Sequence, residues 1–155
     1  FLYDYLTGQQ FLEFIADVRG LDPDTRHKRI AHYLEFFDLE NAAGEYTANY
    51  SFGMKKKLAL AGIVIHQPSV LLLDEPFNGL DPQAVKDFRE LLQRMAADGI
   101  TVMFSSHVLE VVEKLVSHIG IIHHGEIKAV SPLKELTHLH GESLEKAFFD
   151  LTGEE

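Results

Sequence analysis

The spacing of apolar residues predicts that the first third of the chain is helical. Helix starts are indicated at Thr7, at Asp22-Pro23 and at Ser51, because short polar side chains there can accept free N–H groups of a first turn. The third of these helices is expected to run to about His66. The first is expected to bury the apolar residues that recur at helical spacing, which are Phe11, Phe14, Ile15 and Val18.

The remainder of the chain alternates predicted strands with predicted helices. The predicted elements are, in chain order, a strand at 70–73, a helix from Asp81-Pro82 to Gly99, a strand at 100–104, a helix at 108–116, strands at 118–123 and 126–130 joined at His124-Gly125, and helices near 132–139 and 143–151. This order predicts a helical lobe followed by half of a three-layer α/β domain.

The strand predicted at 70–73 ends abruptly in two carboxylates, Asp74 and Glu75, and then in Pro76. Its continuous apolar run predicts burial on both faces, and open α/β sheets bind ligands at the carboxyl ends of such strands. Asp74 could hold Mg²⁺ through water, and Glu75 could accept a proton from an attacking water. Because adjacent strand residues face opposite ways, the two acids are expected to serve different partners. The alternative is a strand that ends in a solvated acidic turn.

Three further motifs accompany these acids. The segment 50–54 (Tyr-Ser-Phe-Gly-Met) precedes the strand, the segment 78–81 (Asn-Gly-Leu-Asp) follows it, and Ser105-Ser106-His107 ends the next apolar run. In order and spacing the motifs resemble the ATPase domain of ABC transporters, and the resemblance covers essentially the whole chain. It implies that residues 71–75 belong to the Walker B segment, 78–81 to the D-loop and 50–54 to the signature motif.

The resemblance implies a fold class, which is α/β. We expect a partial P-loop NTPase fold of the ABC ATPase type, with a helical subdomain followed by the later half of the three-layer core. The expected divisions are a helical signature subdomain at 1–66, a core part with the Walker B segment, D-loop and switch histidine at 67–130, and C-terminal helices at 131–155.

The resemblance also implies roles for individual residues toward ATP and Mg²⁺. Glu75 is the expected general base, His107 the switch histidine at the terminal phosphate, and Asp74 the Mg²⁺ residue. The remaining expected nucleotide contacts are Ser51, Phe52, Gly53, Met54 and Asp81. In ABC dimers the signature motif contacts the nucleotide of the opposite subunit, so a head-to-tail homo- or heterodimer is implied.

The chain departs from the family pattern in two ways. Tyr50, Phe52 and Met54 replace the usual Leu, first Gly and Gln of the signature motif, and the phenylalanine is expected to crowd the approach of a phosphate. No Gly-x-x-x-x-Gly-Lys-Ser/Thr phosphate loop occurs in the 155 residues. The chain is therefore expected to carry the later part of an ATPase domain and, alone, neither to bind ATP tightly nor to hydrolyse it.

Charge and composition narrow the possible partners. The formal charge of -10 argues against a general nucleic-acid binder, so no nucleic acid is expected. The chain has no cysteine, which excludes disulfides and thiolate metal sites. Nine histidines include the pairs His123-His124 and His138/His140, but neither has acids at a recognisable ligand spacing, and no metal is assigned to them.

The function indicated first is that of the ATP-hydrolysing subunit of an ABC transporter, most similar to bacterial exporter ATPases of the ABC-2 type. Such a subunit would be cytoplasmic, held at the inner face of the membrane by a permease partner that selects the substrate. One alternative is a soluble ABC-type ATPase that acts on ribosomes or DNA. Another is a truncated interaction module without turnover, which the missing phosphate loop favours and the presence of Asp74, Glu75 and His107 disfavours.

Overall fold

The computed structural model describes residues 2–141 and 143–153. Its contacts form two compact units, Phe1–Ser105 and Ser106–Glu155. The divisions expected from the sequence, at 66/67 and 130/131, were drawn from motifs and not from packing, and they stay predictions.

The first unit combines helices with a small parallel sheet. In chain order it contains α1 (Gly8–Val18), α2 (Pro23–Phe36), α3 (Phe52–Val64), β1 (Val70–Leu73), α4 (Pro82–Ala97) and β2 (Thr101–Phe104), with single 3₁₀ turns at Glu40–Ala42 and Thr47–Asn49. The predicted helix starts are confirmed, since Thr7, Asp22 and Ser51 each accept a backbone N–H with the side chain. Thr7 forms a complete capping box with Gln10, whose side chain accepts the Thr7 N–H in return.

The buried face of α1 differs in part from the predicted one. Its buried side chains include Phe11 and Leu12, and the helix packs against α2 and α3. The predicted burial of Phe14 and Val18 is wrong, because these side chains are 42% and 67% exposed. Two neighbouring helices cover only one side of α1, and both residues lie outside the covered side.

The sheet of the first unit pairs β1 with β2 in parallel, from Val70 opposite Thr101 to Leu73 opposite Phe104. The crossover that a parallel pair requires is made by α4, which also packs against β2. The prediction that β1 is buried on both faces is wrong. Leu71 is 5% exposed, whereas Leu72 is 71% exposed. In the part of the chain that the structure describes, only one face of this two-stranded sheet is covered.

The predicted start and end of α4 are confirmed. Asp81 caps the helix, Pro82 occupies its first turn, and Gly99 follows it with a φ of 90°, in the region that favours glycine. The buried stripe consists of Ala84, Phe88, Leu91, Leu92 and Met95. At 16 residues α4 is the longest helix described, and no helix within residues 2–141 and 143–153 is long and apolar enough to span a membrane.

The second unit is a hairpin with three helices. In chain order it contains α5 (Leu109–Leu115), β3 (His118–His123), β4 (Glu126–Pro132), α6 (Leu133–Leu139) and α7 (Leu144–Thr152). The predicted turn is confirmed, with His124 at φ 50° and Gly125 at φ 77°, the two positive values that a type I′ hairpin turn requires. The strands are antiparallel, and β4 extends to Pro132, beyond the predicted end at 130.

Candidate functional site

The carboxyl ends of β1 and β2 bring Asp74, Glu75 and Ser105 together. The Ser105 hydroxyl donates to Asp74 Oδ1 at 2.5 Å and accepts the N–H of Glu75 at 3.0 Å. The Ser105 N–H donates to Leu73 O at 2.9 Å, which extends the parallel pairing by one step. In the sequence, Ser105 stands out only as part of the Ser-Ser-His motif. The available signal was that parallel strands end at the same edge, which places a residue after β2 beside the residues after β1.

The backbone of Glu75 is held in an uncommon conformation. Its φ is 44°, a left-handed value that costs a non-glycine residue of the order of 1 kcal/mol or more. The carbonyl of Glu75 accepts Lys56 Nζ at 3.1 Å and the N–H of Asn78 at 3.3 Å. The premise that Asp74 and Glu75 are neighbours within the strand is wrong, because β1 ends at Leu73, and their assignment to different partners stays a prediction. A left-handed turn, and not strand alternation, sets the direction of the Glu75 side chain.

The signature segment lies against the D-loop. Ser51 Oγ accepts the Met54 N–H at 3.2 Å, so the serine predicted to contact nucleotide caps α3 in this structure. A Cβ built on Gly53 would lie 3.4 Å from Gly79 O, and one built on Gly79 would lie only 2.2 Å from the Phe52 ring. Phe52 is 73% exposed and uses the space that the missing side chain of Gly79 leaves open. The predicted effect of Phe52 on a phosphate stays a prediction.

The lysines after the signature segment form contacts within the first unit. Lys56 binds the Glu75 carbonyl, Lys57 Nζ lies 3.0 Å from Asp81 Oδ2, and Lys55 Nζ lies 3.7 Å from Asp4 Oδ1. The side chain of Lys57 is largely buried. The structure shows that two of these lysines join α3 to the Walker B turn and to the D-loop.

Asp81 joins the D-loop to two helices. Its Oδ1 accepts the Ala84 N–H at 2.9 Å, and its Oδ2 pairs with Lys57 of α3. The Ala84 N–H first, and the Lys57 ammonium after it, hold the pKa of Asp81 below its ordinary value. The structure therefore gives Asp81 a structural role, and its predicted nucleotide contact stays a proposal.

Replacing Asp81 by alanine is expected to lower the free energy of unfolding by about 0.5–2 kcal/mol at neutral pH, since the helix cap is lost. The pKa of Asp81 is depressed in the folded state, so its charge stabilises the fold above the unfolded pKa and stops doing so as pH falls through the folded pKa. Urea titrations between about pH 7 and pH 3 measure this. Asp81→Asn is the control, because asparagine keeps the cap without titrating. An alanine variant as stable as the wild type at pH 7 would contradict the prediction.

The Asp74 carboxylate at the end of β1 fits a hydrated Mg²⁺. Asp74 is exposed, and Ser105 engages one of its oxygens. Proteins hold Mg²⁺ with one or two carboxylates while phosphates and water complete the octahedron, so a lone acid is sufficient. Among the described residues no group of three or more His, Cys, Asp or Glu side chains could hold a metal ion by itself.

His107 belongs to the second unit. It is exposed in the loop that precedes α5, next to Ser106, whose Oγ accepts the Val108 N–H at 3.1 Å. The predicted contact of His107 with a terminal phosphate stays a prediction. In the same unit the rings of His123 and His124 lie 3.9 Å apart at the hairpin turn.

Sequence comparisons connect this chain to known proteins. A family model described as "AAA domain, putative AbiEii toxin, Type IV TA system" matches residues 8–113. The bacitracin transport ATP-binding protein BcrA of Bacillus licheniformis is 37% identical over 137 residues, which are 86% of this chain and 43% of that protein. The ABC-type transporter ATP-binding protein EcsA of Bacillus subtilis is 32% identical over 157 residues, which are 99% of this chain and 64% of that protein.

Solved structures of ABC transporter components also match this chain. The ATP binding subunit of an ABC transporter matches with a TM-score of 0.91 at 30% identity, over 97% of this chain and 64% of that one. The chain belongs to the ABC ATPase family. CbiO1 of Clostridium perfringens, part of the ABC transporter complex CbiONQ, matches with a TM-score of 0.70 at 30% identity, over 91% of this chain and 56% of that one. These ABC ATPases have a P-loop NTPase fold, so the predicted family and the α/β fold class are confirmed. The chain spans less than two thirds of each of these relatives.

Proposed function

We propose that these residues form part of an ATP-hydrolysing subunit that powers an ABC transporter through a permease. The observation that carries the proposal is the arrangement at the carboxyl end of β1. There Asp74 is joined to Ser105, and Glu75 is held in a left-handed turn by Ser105 and Lys56. Membership in the ABC ATPase family supports the same role, since BcrA and EcsA are described as transporter ATP-binding proteins.

The residues would divide the work as the chemistry requires. Mg²⁺, when bound, neutralises charge on the phosphates, and Asp74 would hold it through water. Glu75 would accept the proton of the attacking water, and His107 would contact the terminal phosphate. The residues of the signature segment would contact nucleotide held by the opposite subunit, and Asp81 would be a further nucleotide contact. The phosphate loop would come from a part of the protein other than these 155 residues, which contain no such motif.

An exposed aromatic patch in the first unit supports a protein partner. It consists of Tyr3, Tyr5, Phe14 and Tyr46, and Tyr5 is 92% exposed. The rings of Tyr3 and Phe14 meet edge to face at 5.4 Å, and a β-bridge between Thr7 and Tyr46 brings the two segments together. Exposed aromatic clusters of this kind mark protein interaction surfaces. We assign the aromatic patch to the permease, which would place the subunit at the cytoplasmic face of the membrane.

The test uses the full-length protein that contains these residues. We expect it to release phosphate from Mg-ATP and to co-purify with a membrane protein when both are expressed, and we expect Tyr5→Ser to weaken the co-purification but not the hydrolysis. Residues 1–155 alone should show no tight Mg-ATP binding in calorimetry, because the phosphate loop supplies most phosphate contacts. Hydrolysis without any membrane association would favour the soluble ATPase that acts on ribosomes or DNA. Absence of hydrolysis in the full-length protein would favour the non-hydrolytic module.

A further inference from the structure

We propose that Ser105 is a positioning residue that joins the orientation of the Asp74 carboxylate to the backbone turn at Glu75. The inference rests on the proposed function, because it assigns Asp74 to Mg²⁺ and Glu75 to the attacking water. It adds a residue to that machinery which the motifs alone do not assign.

The hydroxyl of Ser105 donates one hydrogen bond and accepts another. Its single proton goes to Asp74 Oδ1 at 2.5 Å, a length typical of a hydroxyl that donates to an ionised carboxylate. Its oxygen accepts the Glu75 N–H at 3.0 Å. The hydroxyl cannot rotate without releasing Asp74, because its only proton lies in that bond. One side chain therefore constrains both acidic residues.

The position of the hydroxyl is set by the sheet. The Ser105 N–H donates to Leu73 O at 2.9 Å, so the Ser105 backbone is still paired with the end of β1. Asp74 and Glu75 lie beyond Leu73, the last residue of β1. The hydrogen bonds of Ser105 thus tie Asp74 and Glu75, the two residues after β1, to the paired end of the sheet.

The geometry has a consequence for each acid. With Oδ1 bound by Ser105, Oδ2 of Asp74 would be the oxygen that holds a water of the Mg²⁺ shell. Glu75 needs support on both sides to keep its left-handed φ of 44°, and it receives support from Ser105 at its N–H and from Lys56 at its carbonyl. Loss of the hydroxyl should therefore loosen the metal position and the base together.

The test compares three variants of the full-length protein. Ser105→Ala removes the hydroxyl, and Ser105→Thr keeps it at the same position. Thr101→Ala removes a hydroxyl at the opposite end of β2 and serves as the matched control. Binding of Mn²⁺ in the presence of a non-hydrolysable ATP analogue is measured by electron paramagnetic resonance, and kcat and KM are measured with Mg-ATP.

We expect Ser105→Ala to raise the half-saturating Mn²⁺ concentration and to lower kcat, each by about 10- to 100-fold, the usual cost of losing a residue that orients a metal-holding side chain. KM for ATP at saturating Mg²⁺ should change little. Ser105→Thr should bring the half-saturating Mn²⁺ concentration and kcat most of the way back to their wild-type values. Thr101→Ala should resemble the wild type in both.

A strand-end serine with no positioning role gives a different result. Ser105→Ala would then lower the melting temperature while Mn²⁺ affinity and kcat stay at wild-type values, and this outcome overturns the inference. Failure of the proposed function is seen separately, as a wild-type protein that does not hydrolyse ATP. The Mn²⁺ measurement with the analogue still decides the role of Ser105 in that case.

Discussion

Replacing Glu75 by glutamine is expected to lower the ATP turnover of the full-length protein by about 10²- to 10⁴-fold, the usual contribution of a general base. The amide keeps the shape of the carboxylate but cannot accept the proton of the attacking water. Nucleotide affinity should change little. The turn should also survive, because Ser105 and Lys56 hold the backbone of Glu75 and not its carboxylate. Steady-state phosphate release and calorimetric titration with Mg-ATP measure the two quantities.

Glu90→Gln is the matched control for this experiment. Glu90 is an exposed glutamate on α4, so the same chemical change there should leave turnover at the wild-type value. The Glu75→Gln variant should also accumulate ATP-bound dimers, because hydrolysis is what normally dissolves them. Turnover near the wild-type level in Glu75→Gln would assign the base to another residue.

The elements that sequence analysis predicted well are those with local signals. The caps at Thr7, Asp22 and Asp81 each involve a backbone N–H only three residues away, so the residues that form the cap are neighbours in the sequence. The hairpin turn at His124-Gly125 is equally local. Propensity, capping and turn chemistry act over one or two turns of chain, which is the range that a sequence pattern records.

The features that escaped prediction depend on contacts between distant segments. The burial of β1 is set by which neighbours cover it, and the apolar run at 70–73 looks the same whether one face is covered or two. The hydrogen bond between Ser105 and Glu75 joins residues 30 positions apart in the sequence, and the one between Lys56 and Glu75 joins residues 19 positions apart. The left-handed φ of Glu75 is supported by those distant contacts, whereas a glutamate in isolation would avoid it. The order of the motifs predicts where the site lies. The backbone conformation of the Walker B turn, however, depends on the packing of α3 and of the end of β2 against it, which the motifs do not record.

Replacing Ser51 by arginine is expected to block ATP-driven dimerisation of the full-length protein while leaving ATP binding to the variant's own phosphate loop unchanged. In the proposed dimer Ser51 and the first N–H groups of α3 hold the terminal phosphate of the opposite subunit's nucleotide, so the two surfaces contact different nucleotides. Ser51 is exposed at the start of α3, where a large side chain would stand between the subunits. Loss of one charge-assisted hydrogen bond costs roughly 1.5–3 kcal/mol, and the bulk of arginine adds to that.

Ser143→Arg provides the control, since Ser143 is also a serine that caps a helix. Its Oγ accepts the Lys146 N–H at 3.4 Å at the start of α7 in the second unit. Both variants lose a cap worth about 1 kcal/mol and should melt at a lower temperature, but only Ser51→Arg should prevent dimers. Size-exclusion chromatography with ATP, in a Glu75→Gln background that retains the nucleotide, separates the two effects. If Ser51→Arg forms normal dimers and shows only the lowered melting temperature of Ser143→Arg, then Ser51 is a helix cap and the dimer contact must be sought elsewhere on α3.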